Sequence, residues 1–295
     1  MPTSEPTEMR FHEDRELFEA ALRLTEARTG FSRRLVEKDY YCTMVLAYLS
    51  GFGGLVFKGG TCLAKVHAAF YRLSEDLDFV IPTPSDASRT LRRASTTTLK
   101  ARVGEFAEVF PAFRVAVPMH GANESTQYLA TLAYESVVTG EPAMIELEVG
   151  LREPLLEPAV VAPAATILVD PGLGSPVLAP VPVVCMSLRE ALAEKARAAL
   201  TRREVAIRDF FDLDFAAQTL GVDLLDGCYV AMVGAKLRVP GNGPIDLSED
   251  RRAALRSQVR TRLQPVLRPA ELAGFDLDRA FGIVASIAGR LAAMQ

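Results

Sequence analysis

Two acids spaced two apart, Asp76 and Asp78, follow shortly after a Gly59-Gly60-Thr61 turn. The stretch around them reads strand, glycine turn, helix, strand. Leu55-Val56-Phe57 is a short apolar run of the kind that fills a buried strand. Gly59-Gly60 allows a tight turn and a close approach of backbone to a ligand. Leu63, Val66 and Phe70 recur at helical spacing and predict a helix from about Thr61, whose free N–H groups suit an anion. In the next strand Leu77, Phe79 and Ile81 alternate with Asp76 and Asp78, so the two carboxylates share a face. Paired carboxylates beside a phosphate-binding turn suit a divalent cation and a nucleoside triphosphate. Gly54 to Thr61 has the spacing of a P-loop, but Gly60 stands where the phosphate-binding lysine belongs, which excludes that motif.

A third carboxylate is expected from Met144-Ile145-Glu146-Leu147-Glu148-Val149, which alternates with the period of a strand. Its acidic face offers Glu146 or Glu148 as a further metal ligand or as a base for an attacking hydroxyl. Further on, Ser187-Leu188-Arg189-Glu190 is a capping box. In the helix it opens, Lys195 shares a face with Leu188, Ala191, Leu192 and Ala199. A lysine on an inward stripe needs an anionic partner, either a triphosphate or a carboxylate from another helix. Asp209 and Asp212 stand three apart near the start of the following helix, where acids are stabilising in any case.

The elements that must position these groups fall into two halves. Residues 1–10 read as a loose polar tail. Helices are predicted over 11–27, ended by Gly30, and from Ser32 to about Leu49. Glu37-Lys38-Asp39 in the second of these is read as a solvated face. Residues 86–109 read as one long basic helix, and 113–117 and 127–138 as strands. The Pro- and Gly-rich stretch 152–186 is the clearest shift in composition and marks a domain boundary, with domains at 1–185 and 186–295. Within it, Val181-Pro182-Val183-Val184 reads as a strand at a sheet edge, because of its proline. The second half is helical. The helix over about 247–265 carries Arg251, Arg252, Arg256, Arg260 and Arg262, with Arg268 just after, and is the best candidate for holding a nucleic-acid backbone.

The chain has 295 residues, 49% of them apolar, and a net charge of −4. That supports a sizeable core and excludes a uniformly basic nucleic-acid binder. Cys42, Cys62, Cys185 and Cys228 are scattered without paired spacing, which argues for reduced thiols in a cytoplasmic setting and against a zinc site. No apolar run approaches transmembrane length, and no membrane partner is expected.

These motifs together resemble the AbiEii/AbiGii family of nucleotidyltransferase toxins, to which the mycobacterial MenT toxins of type IV toxin–antitoxin systems are similar. Glu37-Lys38-Asp39-Tyr40-Tyr41, Phe57-Lys58-Gly59-Gly60-Thr61 and Arg72-Leu73-Ser74-Glu75-Asp76-Leu77-Asp78-Phe79 stand in the family's order and spacing. Glu148-Val149-Gly150-Leu151-Arg152-Glu153, Glu194-Lys195 and Arg208-Asp209-Phe210-Phe211-Asp212 match its later motifs more loosely. The resemblance implies an α+β fold, with a DNA-polymerase-β-like core of mixed sheet flanked by helices and a helical C-terminal domain. It implies transfer of NMP from an NTP with Mg2+ or Mn2+ to the 3′ end of tRNA, and a separately encoded antitoxin. Carried over, Asp76, Asp78 and Glu148 hold metal. Lys58, Gly60, Thr61 and Ser74 contact the nucleotide, Lys195 neutralises the triphosphate, and Asp209 and Asp212 support it. A phosphate on Ser74 would put negative charge where the triphosphate must go. The rival expectations are transfer to a small molecule or protein, an Asp-x-Asp sugar-nucleotide glycosyltransferase, and a non-catalytic binding protein.

Overall fold

A computed structural model describes residues 10–294; residues 1–9 of the expected tail lie outside the described residues. The chain divides into two compact units. The first runs to Leu155 and includes Ala159–Met186; the second joins Leu156–Pro158 to the chain from Ser187 onward.

In the first unit, α1 (Arg15–Thr29) is capped by the Asp14 carboxylate, which accepts from the Leu17 N–H, and is ended by Gly30 in the left-handed conformation. Helix α2 (Arg33–Ser50) is buried nearly all round. Its Glu37 and Asp39 are therefore interior groups, which corrects the expected solvated face. Burial pushes the Glu37 carboxyl up, while the donors Ser136 Oγ and the Val137 N–H offset it. Asp39 pairs with Lys65 at 2.5 Å. Only Lys38 of the three charges stays partly exposed, 3.6 Å from Glu75.

The first unit carries a mixed seven-stranded sheet in the order β3-β4-β5-β2-β1-β7-β6. Its strands are β1 (Val56–Lys58), β2 (Leu77–Val80), β3 (Phe113–Ala122), β4 (Gln127–Glu135), β5 (Pro142–Gly150), β6 (Val160–Ala164) and β7 (Val181–Cys185). β2 pairs with β5, and β1 with β7, in parallel; β1 and β2 are antiparallel. Phe57 and Phe79 meet on one face at 5.5 Å between ring centroids. Tyr41, Tyr134, Phe113 and Phe106 extend that core as an aromatic chain, with Tyr41 stacked on Tyr134 at 3.9 Å.

β7 is not at the edge; β6, unforeseen in the proline-rich stretch, is. Pro182 stands opposite Pro163 of β6. Two prolines can face each other only as a non-hydrogen-bonded pair, their missing N–H groups directed away from one another. On its other side β7 pairs with β1 at Phe57–Cys185 alone, so Pro182 breaks no ladder bond there. The other edge, β3, has two register shifts, and Pro118 lies within the second, between Val117 and His120.

The basic segment at 86–109 is three short helices, α4 (Arg89–Ser95), α5 (Thr97–Gly104) and α6 (Phe106–Val109). The break falls at Thr96-Thr97-Thr98, a β-branched run that costs rotamer freedom in a helix, and again after Gly104. Several of its cations serve the fold. Arg92 donates to the carbonyls of Leu151 and Ser85, Arg102 to that of Tyr48, and Lys100 lies over the Tyr128 ring.

The second unit is helical: α7 (Leu188–Thr201), α8 (Ile207–Gln218), α9 (Gly227–Leu237), α10 (Glu249–Gln258), α11 (Pro269–Gly274) and α12 (Leu277–Ala293). Ser187 accepts the Glu190 N–H, as the capping box predicts. The Glu190 carboxylate turns instead to the N–H groups of Leu156 and Glu157 and to Lys236 of α9, 2.6 Å away. That buried pair ties the short 156–158 segment to α7 and α9. Asp214 and Arg279 join α8 to α12 by a two-pronged ion pair.

Candidate active site

The register of the sheet sets the first group of candidate side chains. Lys58 of β1 is opposite Asp78 of β2, and Asp78 is opposite Glu148 of β5. Residues paired in register share a face of the pleat, so the three stand in one row across three neighbouring strands. Glu148 is half-buried beside Asp78, whereas Glu146 is exposed and has Thr131 of β4 as its cross-strand neighbour. Asp76 precedes β2 and is half-buried.

The glycine turn is fitted against this row. Helix α3 (Gly59–Cys62) is a single turn that continues as a π-helical turn over Leu63–His67, shorter than the helix expected from the Leu63-Val66-Phe70 spacing. Ala69 and Phe70 leave it with positive φ. Gly59 has φ +75°, and a Cβ built on it would lie 2.1 Å from Asp78 Oδ2. Gly59 is thus the residue that lets the turn sit directly on the Asp78 carboxylate. A Cβ on Gly60 would lie 2.6 Å from the buried Arg72 guanidinium and 3.1 Å from the Ser74 hydroxyl. The Thr61 hydroxyl, expected to face phosphate, donates to the main-chain carbonyl of Asp76 and so ties the turn to the acid strand. Glu75, next to Asp76 in the acid motif, is engaged by Arg34 at 2.5 Å and by Lys38.

Gly59→Ala tests this fit. The left-handed conformation costs an alanine about 1–2 kcal/mol. The larger effect is on Asp78, which must move; nucleotidyl transfer is expected to fall about 100-fold, the scale of a 1 Å misplacement. Single-turnover rates beside a melting curve would measure both, and an unchanged rate would remove Gly59 from the site.

The second unit holds its own cluster. Lys195 lies 2.7 Å from Asp209 and 3.1 Å from Asp212, and Arg202 lies 3.3 Å from the other oxygen of Asp209. Both carboxylates are buried, while Lys195 keeps a fraction of its side chain in solvent. Asp209 therefore spends its carboxylate on two cations rather than on capping α8.

The basic segment expected over 247–268 is largely committed to structure, which corrects its reading as one phosphate-binding face. It is α10, a π turn and a 3-10 turn rather than one helix. Arg251 is buried and donates to the carbonyls of Ala199 and Arg202. Arg252 pairs with Asp278, and Arg268 with Glu271. Arg256, Arg260 and Arg262 are the exposed remainder. Two of the acids that bind these arginines, Glu271 and Asp278, lie downstream of the segment, while Asp246 and Glu249 at its start pair with Arg251 and Arg252.

With this geometry established, comparison identifies the class. The profile of the family described as Nucleotidyl transferase AbiEii toxin, Type IV TA system, matches residues 46–281. The chain belongs to this family and is a nucleotidyltransferase of the toxin half of a type IV toxin–antitoxin system. No curated protein gives a significant match. Among solved structures the chain is similar to JHP933 from Helicobacter pylori, with 16% identity and a TM-score of 0.49, covering 89% of this chain and 94% of that one. It is also similar to a candidate nucleotidyltransferase from H. pylori, with 17% identity and a TM-score of 0.43 over the same shares. The α+β class expected from the sequence is the class observed, a mixed sheet with flanking helices followed by a helical C-terminal region. Among the described residues no helix is long and apolar enough to cross a membrane.

Proposed function

We propose that this toxin transfers a nucleoside monophosphate from a nucleoside triphosphate to the 3′-hydroxyl of an RNA, the acceptor end of tRNA, and so stops the tRNA from being charged. The observation that carries the reading is the Lys58–Asp78–Glu148 row, with Asp76 beside it and Gly59 fitted against Asp78. Oxygen donors from Asp76, Asp78 and Glu148 match the preference of a hard divalent cation such as Mg2+ or Mn2+. When bound, that cation supplies positive charge against the triphosphate oxygens.

The chain's own groups do the rest. Glu148 takes the proton of the attacking hydroxyl. The 3′-oxygen of the RNA then bonds to the α-phosphorus as the bond to pyrophosphate breaks, and pyrophosphate leaves with the displaced electron pair. Lys58 and the backbone at Gly60 and Thr61 steady the phosphates, and Ser74 lies beside them. Lys195, held by Asp209 and Asp212 in the second unit, is the group to which the resemblance to the family gives the countercharge role. Such a reaction is driven by positioning and charge neutralisation.

Incubating the protein with Mg2+, each labelled nucleoside triphosphate and total tRNA tests this. Label in tRNA that disappears with Asp76→Ala is the expected result; active protein that labels no RNA would end the tRNA assignment. The reduced basic surface, Arg256, Arg260 and Arg262, makes a small-molecule or protein acceptor the reading to test in parallel. Glu148→Gln should lower transfer about 100-fold or more, while Glu146→Gln stays within a few-fold of wild type. Equal losses in the two variants would overturn the choice of Glu148. The partner implied by the family is an antitoxin. Phosphorylation of Ser74 is one route to inhibition, since two negative charges there oppose the triphosphate. Ser74→Glu is expected to be inactive, and a fully active variant would dismiss this route.

A further inference from the structure

The four cysteines are far apart in sequence, but the fold brings two of them together with a histidine. Cys62 ends α3, His67 ends the π turn that follows, and Cys185 ends β7. One donor atom from each lies within 4.8 Å of the others. Cys62 and Cys185 are fully buried, and His67 is half-buried. His67 Nε2 stands 3.0 Å from the Met186 carbonyl. That contact requires an N–H at Nε2, which leaves Nδ1 as the nitrogen with a lone pair. A histidine held by a main-chain carbonyl on one nitrogen is the arrangement metal-ligating histidines use.

We propose that Cys62, His67 and Cys185 form a binding site for a thiophilic d10 cation, with Zn2+ as its divalent form. Cysteine sulfur and imidazole nitrogen are the donors such ions select, whereas hard ions prefer the carboxylates of the sheet row. Ordinary buried cysteines pack as small apolar groups; they do not need an oriented histidine beside both. Binding replaces the two thiol protons, which leave to solvent, so two thiolates balance the divalent charge and no net charge is buried. The π turn explains the spacing. Residues five apart diverge on an α-helix, and the wider π turn brings His67 round towards Cys62. Three protein donors would leave a further position for water. A bound ion would fasten the residue after Thr61 to the end of β7, supporting the glycine turn from behind. The proposal is independent of the nucleotide chemistry assigned to the acid row.

The test uses the full chain, purified under reducing conditions and dialysed against Mg2+ buffer without chelator. Metal analysis should find about one Zn2+ per chain after exposure to micromolar zinc, since three-donor protein sites of this kind bind zinc tightly. Co2+ substitution of the unaltered protein should give a thiolate-to-cobalt charge-transfer band. His67→Gln keeps both thiols and should weaken zinc binding at least about 10-fold. Cys185→Ser should abolish it, and Cys228→Ser, at an exposed cysteine outside the cluster, should leave it unchanged. Folded wild-type protein that takes up no zinc and shows no cobalt–thiolate band would overturn the site. So would zinc that is lost in Asp78→Asn and retained in Cys185→Ser, or a Cys62–Cys185 disulfide that zinc does not prevent.

Discussion

Asp78→Asn is expected to abolish nucleotidyl transfer while leaving the fold intact. Asp78 is the centre of the lateral row, with Lys58 on one side, Glu148 on the other, and Gly59 pressed against its carboxylate. Asparagine has the same shape, so the turn and strand register survive. What is lost is one negative charge between two others that would hold a divalent cation. Loss of a single preorganised electrostatic group costs on the order of 10³-fold in rate. Binding of the nucleotide should weaken less than catalysis, because Lys58 and the glycine turn remain. Single-turnover assays against nucleotide concentration would separate the two. A variant retaining more than about a tenth of wild-type rate would show that the row is not where transfer occurs.

Lys65→Met is expected to be the most destabilising single change in the first unit. Lys65 Nζ donates to Asp39 Oδ1 at 2.5 Å, to Thr43 Oγ1 at 2.7 Å and to the carbonyls of Asp39 and Ala165. The second Asp39 oxygen accepts from Thr166 Oγ1 and the Ile167 N–H. Both charges are almost wholly buried. Removing the lysine leaves the Asp39 carboxylate interior and without its cation, a cost of about 3–5 kcal/mol. Replacing both partners, as in Asp39→Leu with Lys65→Met, removes the orphaned charge as well and should recover most of that loss. Urea unfolding of the two variants would measure the difference. If the single variant lost under about 1 kcal/mol, the network would not be holding α2, the π turn and the 165–167 segment together.

How much of this was legible from residue order follows from the range of each interaction. The acid strands were readable because alternation with period two is local, and Asp76-Leu77-Asp78-Phe79 and Glu146-Leu147-Glu148-Val149 each carry it within a few residues. Which glutamate stands beside Asp78 was not readable, because it depends on the parallel register of β2 and β5, which pairs Asp78 with a residue far away in sequence. Burial of Asp39 was missed for a similar reason. Its partners Lys65 and Thr166 come from distant segments, and three charges in a row on a helix look solvated when seen alone. Lys236, which meets Glu190, lies on a helix that no motif announced. The strand β6 was hidden by composition, since Val160-Val161-Ala162-Pro163 sits within a proline-rich stretch. The meeting of Cys62 with Cys185 needed the β1–β7 pairing before it could be seen.

The two ends of the sheet have a consequence for how a protein partner can attach. On β6, Pro163 directs its missing N–H outward, because Pro182 occupies the inner side of the pair. On β3, Pro118 lies within the second of two register shifts. Each border therefore lacks the unbroken line of donors that an added strand would need. Addition of a partner's strand is therefore disfavoured at both borders, which leaves side-chain surfaces as the more favourable contact. The same blunting disfavours edge-to-edge pairing of two copies of the sheet.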